Sequence, residues 1–600
     1  MKLNYTHHVF HFGLVGNCQI SAHIQNDGSV DWLCLPQPDS EPVFGRLLDP
    51  EGGHFKISLA DTSAHVQRRQ YYIENTNVVV TESTLPNGDG IRVTDFCPRF
   101  EQHGRMFRPI GLFRKVEPIK GGPAIKVECI PVQGWSKLLA GPNRGSSHLR
   151  FEIRGSAMRL TTNMPLTYLT ERSAFLLTEP VYFALTWDWA IEEELSQVTE
   201  RFLSQTIDYW RMWVKHCSIP SLFQAETIRS ALTLKMHCYQ DTGAILAALT
   251  TSLPEEVGHT RNWDYRYCWL RDAYFSLSAF HNLGHFEEME GFLKFLLNLA
   301  HQNESTKERL APVYPLAQGL PLPETIQANW VGFKNSGPVR NFNQAAEHVQ
   351  NDVYGEMILT LSPIFFDERF RHLRTKDHED LLSHLATLCS RTISVPDAGL
   401  WEVRDGWQEH SFANLMAWAG LERVARIRQK GYIKDLAIDL PSEVLRAQRA
   451  VEKGIKDGSL RNGPTDDTYD CSLALMPVLR FPNQEVSNKT VDNIMKRLAM
   501  DPKNPSFFYR YLRTDDFGCP QSAFMICSFW VSQALSRLGR LEEGRLVLEG
   551  ATRAANSLGL YSEHFDPRTG EQLGNFPQAY SHVGLINAAF ACSPPWNEIL

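Results

Sequence analysis

The 600-residue chain is poor in the features that would place it in a narrow class. No run of about 18 apolar residues occurs, so no membrane-spanning helix is expected. The first residues hold His7, His8 and His11 but no apolar stretch of about 7–15 residues. That argues against a secretory leader and for a cytoplasmic protein. There is no basic excess: the formal charge is −8, which argues against a nucleic-acid partner. The twelve cysteines show no CxxC and no regular spacing, and several sit in or beside apolar runs. They read as buried free thiols in a reducing compartment. There is no HExxH, no GxSxG and no Walker loop. The histidine pairs His7-His8 and His281/His285 lack a third ligand, so neither a metal nor a cofactor is expected.

What is present is ordinary globular material, 43% hydrophobic and 21% charged, in a chain long enough for two or more domains. Residues 1–190 read as short strands broken by turns. Asn26-Asp27-Gly28 and Leu85-Pro86-Asn87-Gly88-Asp89-Gly90 are hairpin signals, Tyr71 to Thr84 is rich in Val, Thr and Tyr, and Val181 to Trp189 looks like a closing strand. The pattern is that of a β-sandwich. In 191–223, Leu195, Val198, Phe202, Ile207, Trp210 and Trp213 recur at helical spacing and predict a linker helix. From 224 to 600 the periodicity predicts about twelve helices: 224–239, 271–283, 286–301, 343–362, 377–393, 410–428, 439–452, 468–478, 488–498, 520–538, 541–556 and 579–593. That number suits six antiparallel pairs.

Unusual chemistry collects in the loops of the helical part. Arg261 to Asp272 packs four aromatics and five charges into twelve residues, the mixture of flat platforms and hydroxyl-binding groups that a sugar needs. Gly399-Leu400-Trp401-Glu402-Val403 sets a Glu beside a Trp, where desolvation would suit a general acid. Gly559 to Gly570 sets Glu563 between an aromatic and an Asp-Pro turn. Each segment alone also fits helix packing or a solvated loop. Together they supply two carboxyls far apart in sequence, as glycoside hydrolysis requires.

As a set these segments carry a resemblance. Asp264-Tyr265 with Trp269-Leu270-Arg271-Asp272, then Leu400-Trp401-Glu402, then Tyr561-Ser562-Glu563, resemble in order the signature segments of the glucoamylase family, glycoside hydrolase family 15. Asp27 to Pro36 and Phe44 to Pro50 resemble its bacterial and archaeal branch. The resemblance spans about 10–595. It implies a multidomain β + α protein, an N-terminal β-sandwich followed by an (α/α)6 barrel with a pocket on its loop face. It implies an inverting, metal-free, exo-acting α-glucosidase, with Glu402 matching the general acid and Glu563 the general base. Their carboxyls would lie roughly 6.5–9.5 Å apart to admit water. Arg271 and Asp272 match the pair that holds the terminal glucose, Tyr265, Trp269 and Trp401 match pocket aromatics, and Arg510 matches a further sugar-binding arginine. Two stretches depart from the family: Gln521 stands where an acid is usual in relatives, and Arg404 to Gln408 has its own sequence. Both are expected to touch the sugar beyond the cut bond. The expected substrate is an α-1,4-glucan or maltooligosaccharide, preferred on prevalence in the family, with the glucose disaccharide trehalose as the alternative. A catalytically inactive carbohydrate-binding protein is the reading from another class; it would show the loss of one Glu.

Overall fold

The computed structural model describes residues 10–61, 65–302, 308–317 and 319–600; the His7-His8 pair lies outside them. Two antiparallel sheets form the N-terminal part. One runs in the order Phe12–Gly16, Ser21–Gln25, Val30–Cys34, His54–Leu59, Ala124–Ile130, Phe175–Leu176, with Pro42–Phe44 beside its third strand. The other runs Pro142–Arg144, His148–Ile153, Ser156–Thr162, Val181–Trp187, Gly111–Lys120, Gly90–Phe96, Val79–Thr84, Gln67–Tyr72. Ile24, Phe55 and Val127 of the first face Val93, Val116 and Phe183 of the second in one apolar layer, which makes a sandwich. The Leu85–Gly90 signal is a hairpin turn that pairs Thr84 with Gly90. The Val-, Thr- and Tyr-rich stretch Tyr71 to Thr84 runs from the end of the strand Gln67–Tyr72 into Val79–Thr84, with Asn75 in a left-handed turn between them (φ +58°).

The helix Leu195–Lys215 follows the sandwich and buries Leu195, Val198, Phe202, Trp210 and Trp213 on one face. Trp213 ties its end to the next domain, where it meets a buried ion pair between the helices Gln224–His237 and Phe286–Gln302. Lys235 Nζ lies 2.5 Å from Glu288 Oε1, both nearly sealed from solvent, and Trp213 Nε1 donates to the same carboxylate at 3.3 Å. Burial would raise the Glu288 carboxyl, but Lys235 and His285 outweigh it and hold it at about 2. A depressed carboxyl stabilises the fold above its unfolded value, near 4.5, and that contribution fades as pH falls towards 2. Glu288→Ala leaves Lys235 buried and unpaired, so urea unfolding at pH 7 should show a loss of about 3–5 kcal/mol, shrinking towards pH 2–3.

Helices then alternate between an inner and an outer ring. The inner ring is Leu270–Leu283, Asp352–Phe366, Ser411–Gln429, the short pair Cys471–Ala474 and Leu475–Val478, Met525–Arg537 and Ala579–Cys592. Each packs on the next, and the last closes on the first. The outer ring is Gln224–His237, Phe286–Gln302, Lys376–Thr392, Leu440–Lys453, Gln484–Arg497 and Leu541–Ala551. Composition explains the assignment. Every residue from Ala579 to Ala589 is buried, whereas Leu440–Lys453 buries only Leu440, Ala447, Ala450 and Val451, a single stripe. Inner neighbours approach closely: a Cβ on Gly355 would sit 2.1 Å from the Met416 carbonyl oxygen. The result is an (α/α)6 barrel.

Three helices start later than their spacing predicts; one of them, 468–478, opens as the 3-10 turn Cys471–Ala474 and is α-helical only over Leu475–Val478. The stretch 343–362 holds only a 3-10 turn, Gln344–Glu347, before the helix proper begins at Asp352 and runs to Phe366. His348, in an extended conformation, separates the turn from the helix, and Asp397 accepts from the Asn351 backbone N–H at 2.6 Å at the helix entrance. The stretch 520–538 begins its helix at Met525, because Ala523–Phe524 pairs as a strand with His564–Phe565. No described helix is long and apolar enough to cross a membrane, and all twelve cysteines are free, most of them buried.

Candidate active site

The inner helices all begin at the same end of the barrel, and the loops leading into them build two adjoining cavities. Their N-termini expose unpaired backbone N–H groups, which favour negative charge nearby. The inner cavity is lined by Tyr265, Trp269, Arg271, Asp272, Trp401, Glu402, Phe524, Glu563, Gln578 and Tyr580, among others. The outer is lined by Glu255, Arg261, Trp263, Arg404, Arg510 and Phe517, among others. Tyr265, Trp401 and Glu402 line both. Of the residues matched to catalytic or sugar-binding roles, all but Arg510 therefore border the inner cavity, and Arg510 borders the outer one.

Glu402 sits at the junction in a left-handed conformation (φ +62°), a backbone cost of about 1–3 kcal/mol for a residue with a side chain. Gly399 (φ +65°) makes the turn, closed by Glu402 N–H to Gly399 O at 3.1 Å and Val403 N–H to Ala398 O at 3.0 Å. Three donors reach one carboxylate oxygen: Trp269 Nε1 at 2.6 Å, Arg271 Nη2 at 3.2 Å and Gln350 Nε2 at 3.2 Å, all on Oε1. Trp401 is held beside it by both oxygens of Asp470, at 3.0 and 2.9 Å.

Arg271 and Asp272 are the first-turn residues of Leu270–Leu283, both buried. Arg271 Nη1 donates to Gln350 Oε1 at 2.7 Å. Burial pushes the Asp272 carboxyl up to about 7; Arg271 opposes the rise and Glu402 adds to it. Arg271 Nε, Gln578 Oε1 and the Tyr580 hydroxyl are buried and without a hydrogen-bond partner among the described residues. Such groups are costly unless a ligand supplies the partner, and sugar hydroxyls both donate and accept.

Glu563 lies in the loop before the strand His564–Asp566, its backbone tied to Asn575 O at 3.1 Å. Gly574 (φ +72°) leaves it room, since a Cβ there would come 2.5 Å from Glu563 Oε2. Burial, then the neighbouring Glu255 carboxylate, raises the Glu563 carboxyl well above the usual range; Arg510 and the Tyr265 hydroxyl oppose the rise. Burial pulls Glu255 itself upward, but Arg510, His564 and Arg261 outweigh it and keep it low. Glu255, Glu563 and His564 stand close enough to ligate a metal. The charge balance speaks for a different use, because Arg510 Nη2 at 3.1 Å and Arg261 Nη1 at 4.0 Å already supply the cations Glu255 needs.

Of the two departing stretches, Arg404 lines the outer cavity. Gln521 does not: it is exposed and donates to the Cys519 carbonyl at 3.1 Å. Its neighbour Ser522 turns inward instead, to His564 Nδ1 at 3.0 Å. Sequence reasoning missed Glu255, Gln350 and Phe517. Gln350 precedes Asn351-Asp352 at a helix entrance, a weak cap signal; the other two carry no local signal.

Residues 224–590 match the profile of glycosyl hydrolases family 15, and residues 5–111 match that of a trehalase-like N-terminal domain. A trehalase of Mycolicibacterium smegmatis is 31% identical over an alignment covering 96% of this chain and 90% of that protein. A trehalase of Thermoplasma volcanium is 30% identical, covering 96% and 92%. In three dimensions the chain is similar in fold to a bacterial glucoamylase complexed with acarbose, with a TM-score of 0.68 at 13% identity, covering 97% of this chain and 93% of that one. A sandwich, a helix and a barrel whose loops gather buried carboxyls, arginines and aromatics thus meet a family match over most of the chain: the protein belongs to glycosyl hydrolases family 15.

Proposed function

We propose that this hydrolase is an inverting α,α-trehalase. The observation that carries the reading is the pair of cavities meeting at Glu402. Trehalose is two glucose rings joined through one oxygen, and an acid that protonates that oxygen must face both rings. Glu563 borders the inner cavity only, as suits a base that activates water against the inner ring. Preference for α-1,4-glucans rested on family prevalence and on no residue. The aligned trehalases, matched over nearly the whole chain, favour the disaccharide.

One glucose occupies the inner cavity, its hydroxyls held by Arg271, Asp272 and the unpaired groups of Gln578 and Tyr580. The donors on Glu402 all engage Oε1, and Oε2 carries the proton given to the bridging oxygen. Glu563, ionised, takes a proton from water as the water attacks the anomeric carbon. The inner ring leaves as β-glucose; the outer ring, whose anomeric bond is not broken, leaves as α-glucose. The deciding experiment compares kcat/KM on trehalose and maltotriose. Trehalose should lead by at least about tenfold; a lead for maltotriose would return the protein to the glucoamylase reading.

The pH profile follows from the same charges. A base must be ionised, so activity falls as pH drops through the raised value of Glu563. Glu255→Gln removes a neighbouring negative charge and leaves Arg510 facing Glu563. Both changes lower the value, so the acid limb of the kcat/KM profile should move to lower pH. An unmoved or raised acid limb would disconnect Glu255 from the base.

A further inference from the structure

Part of the outer cavity is walled by two loops that neither the acid–base step nor the grip on the inner ring uses. One is 403–407, after Glu402; the other is 513–518. They are fastened to each other and to the loop that carries Arg261 and Trp263. Asp516 Oδ2 accepts from the Arg404 backbone N–H at 2.6 Å. The Phe517 ring stands edge-on to Trp263, centroids 5.4 Å apart, with the guanidiniums of Arg261 and Arg404 at 5.6 and 5.4 Å.

Both arginines are anchored at their far sides. Arg261 pairs with Asp515 and donates to the Gly518 carbonyl at 2.7 Å. Arg404 reaches Glu324 at 3.3 Å, and Glu324 also pairs with Arg340. The loop tip is a tight turn, with Phe517 N–H to Asp515 Oδ1 at 2.8 Å and reciprocal backbone bonds between Asp515 and Gly518 at 3.1 Å. An aromatic ring flanked by two salt-bridged arginines and backed by a tryptophan does not give way cheaply, because moving it breaks charge-assisted bonds and ring contacts together.

We propose that this clasp of Arg261, Arg404, Asp516 and Phe517 closes the outer cavity behind a single sugar ring and so sets the substrate length at two. The inference rests on the trehalase reading and adds to it the residues that exclude longer saccharides. A third ring joined to the outer glucose would meet Phe517 and its flanking arginines. The inner cavity and the acid–base pair would be untouched by that extension.

The test uses the full chain and two substrates that share the same scissile bond: trehalose, and the trisaccharide α-maltosyl α-glucoside, which is trehalose with one more α-1,4-linked glucose on one ring. The wild type should cut trehalose with a kcat/KM at least about tenfold above the trisaccharide, the order by which a mis-sized pocket discriminates. Phe517→Ala and Asp516→Ala should each narrow that gap severalfold, mainly by lowering KM for the trisaccharide, and Phe517→Leu should narrow it less. Circular dichroism identifies any variant that fails to fold, and the wild-type ratio then decides. Equal kcat/KM on both substrates in the wild type would overturn the clasp and leave the trehalase reading intact. A gap that no folded variant changes would overturn the assignment to these residues. Failure of the wild type on trehalose itself would overturn the functional reading, and the clasp with it.

Discussion

Glu402→Gln should lower kcat/KM on trehalose by about 10²–10⁴-fold, the usual contribution of a general acid, while sparing much of the rate on α-glucosyl fluoride. Fluoride leaves without a proton; the glucose oxygen does not. The amide keeps an acceptor oxygen for Trp269, Arg271 and Gln350, so the loop and its left-handed residue should stay in place. Only the transferable proton is lost. The contrast between the two substrates therefore isolates proton donation from positioning. Equal losses on both would mean that Glu402 acts by some other route, for instance by orienting Arg271.

Glu563→Gln should show the complementary pattern, with a similar loss on trehalose and on α-glucosyl fluoride alike. Water must be activated whichever group departs. The side chain is buried, close to Glu255 and bordering the inner cavity alone, so an amide there fills the same space without accepting the proton. The acid limb of the pH profile should vanish with the carboxylate that causes it, since Glu563 is the raised group that must be ionised. Retained activity on the fluoride would remove Glu563 from the role of base. Taken as a pair, the two variants separate acid from base without reference to any relative.

Much of this site is legible in the chain because its chemistry is local. Trp269, Arg271 and Asp272 stand together at one helix start, and Trp401 with Glu402 in one turn, so their unusual composition is visible before any folding. The helices are legible for a related reason: an inner helix such as Ala579–Cys592 is mostly apolar and buried on every side, and an outer one such as Leu440–Lys453 buries a single face. What the chain hides is brought in by tertiary register. Gln350 reaches Glu402 because Asp397 holds the Asn351 backbone. Glu255 matters because Arg510, 255 positions away, comes to lie against it. Phe517 gains meaning only between Arg261 and Arg404. Gln521 shows the converse: its place in the chain pointed to the sugar, but strand pairing at Ala523–Phe524 and the inward turn of Ser522 leave it in solvent.

The central claim, hydrolysis of trehalose with inversion, meets its most direct test in proton NMR of the purified protein with trehalose, following the anomeric signals from the first minutes. Inversion at the inner ring predicts α- and β-glucose appearing in equal amounts before mutarotation blurs them. Release of α-glucose alone would contradict the inverting mechanism, and no release at all would contradict the substrate.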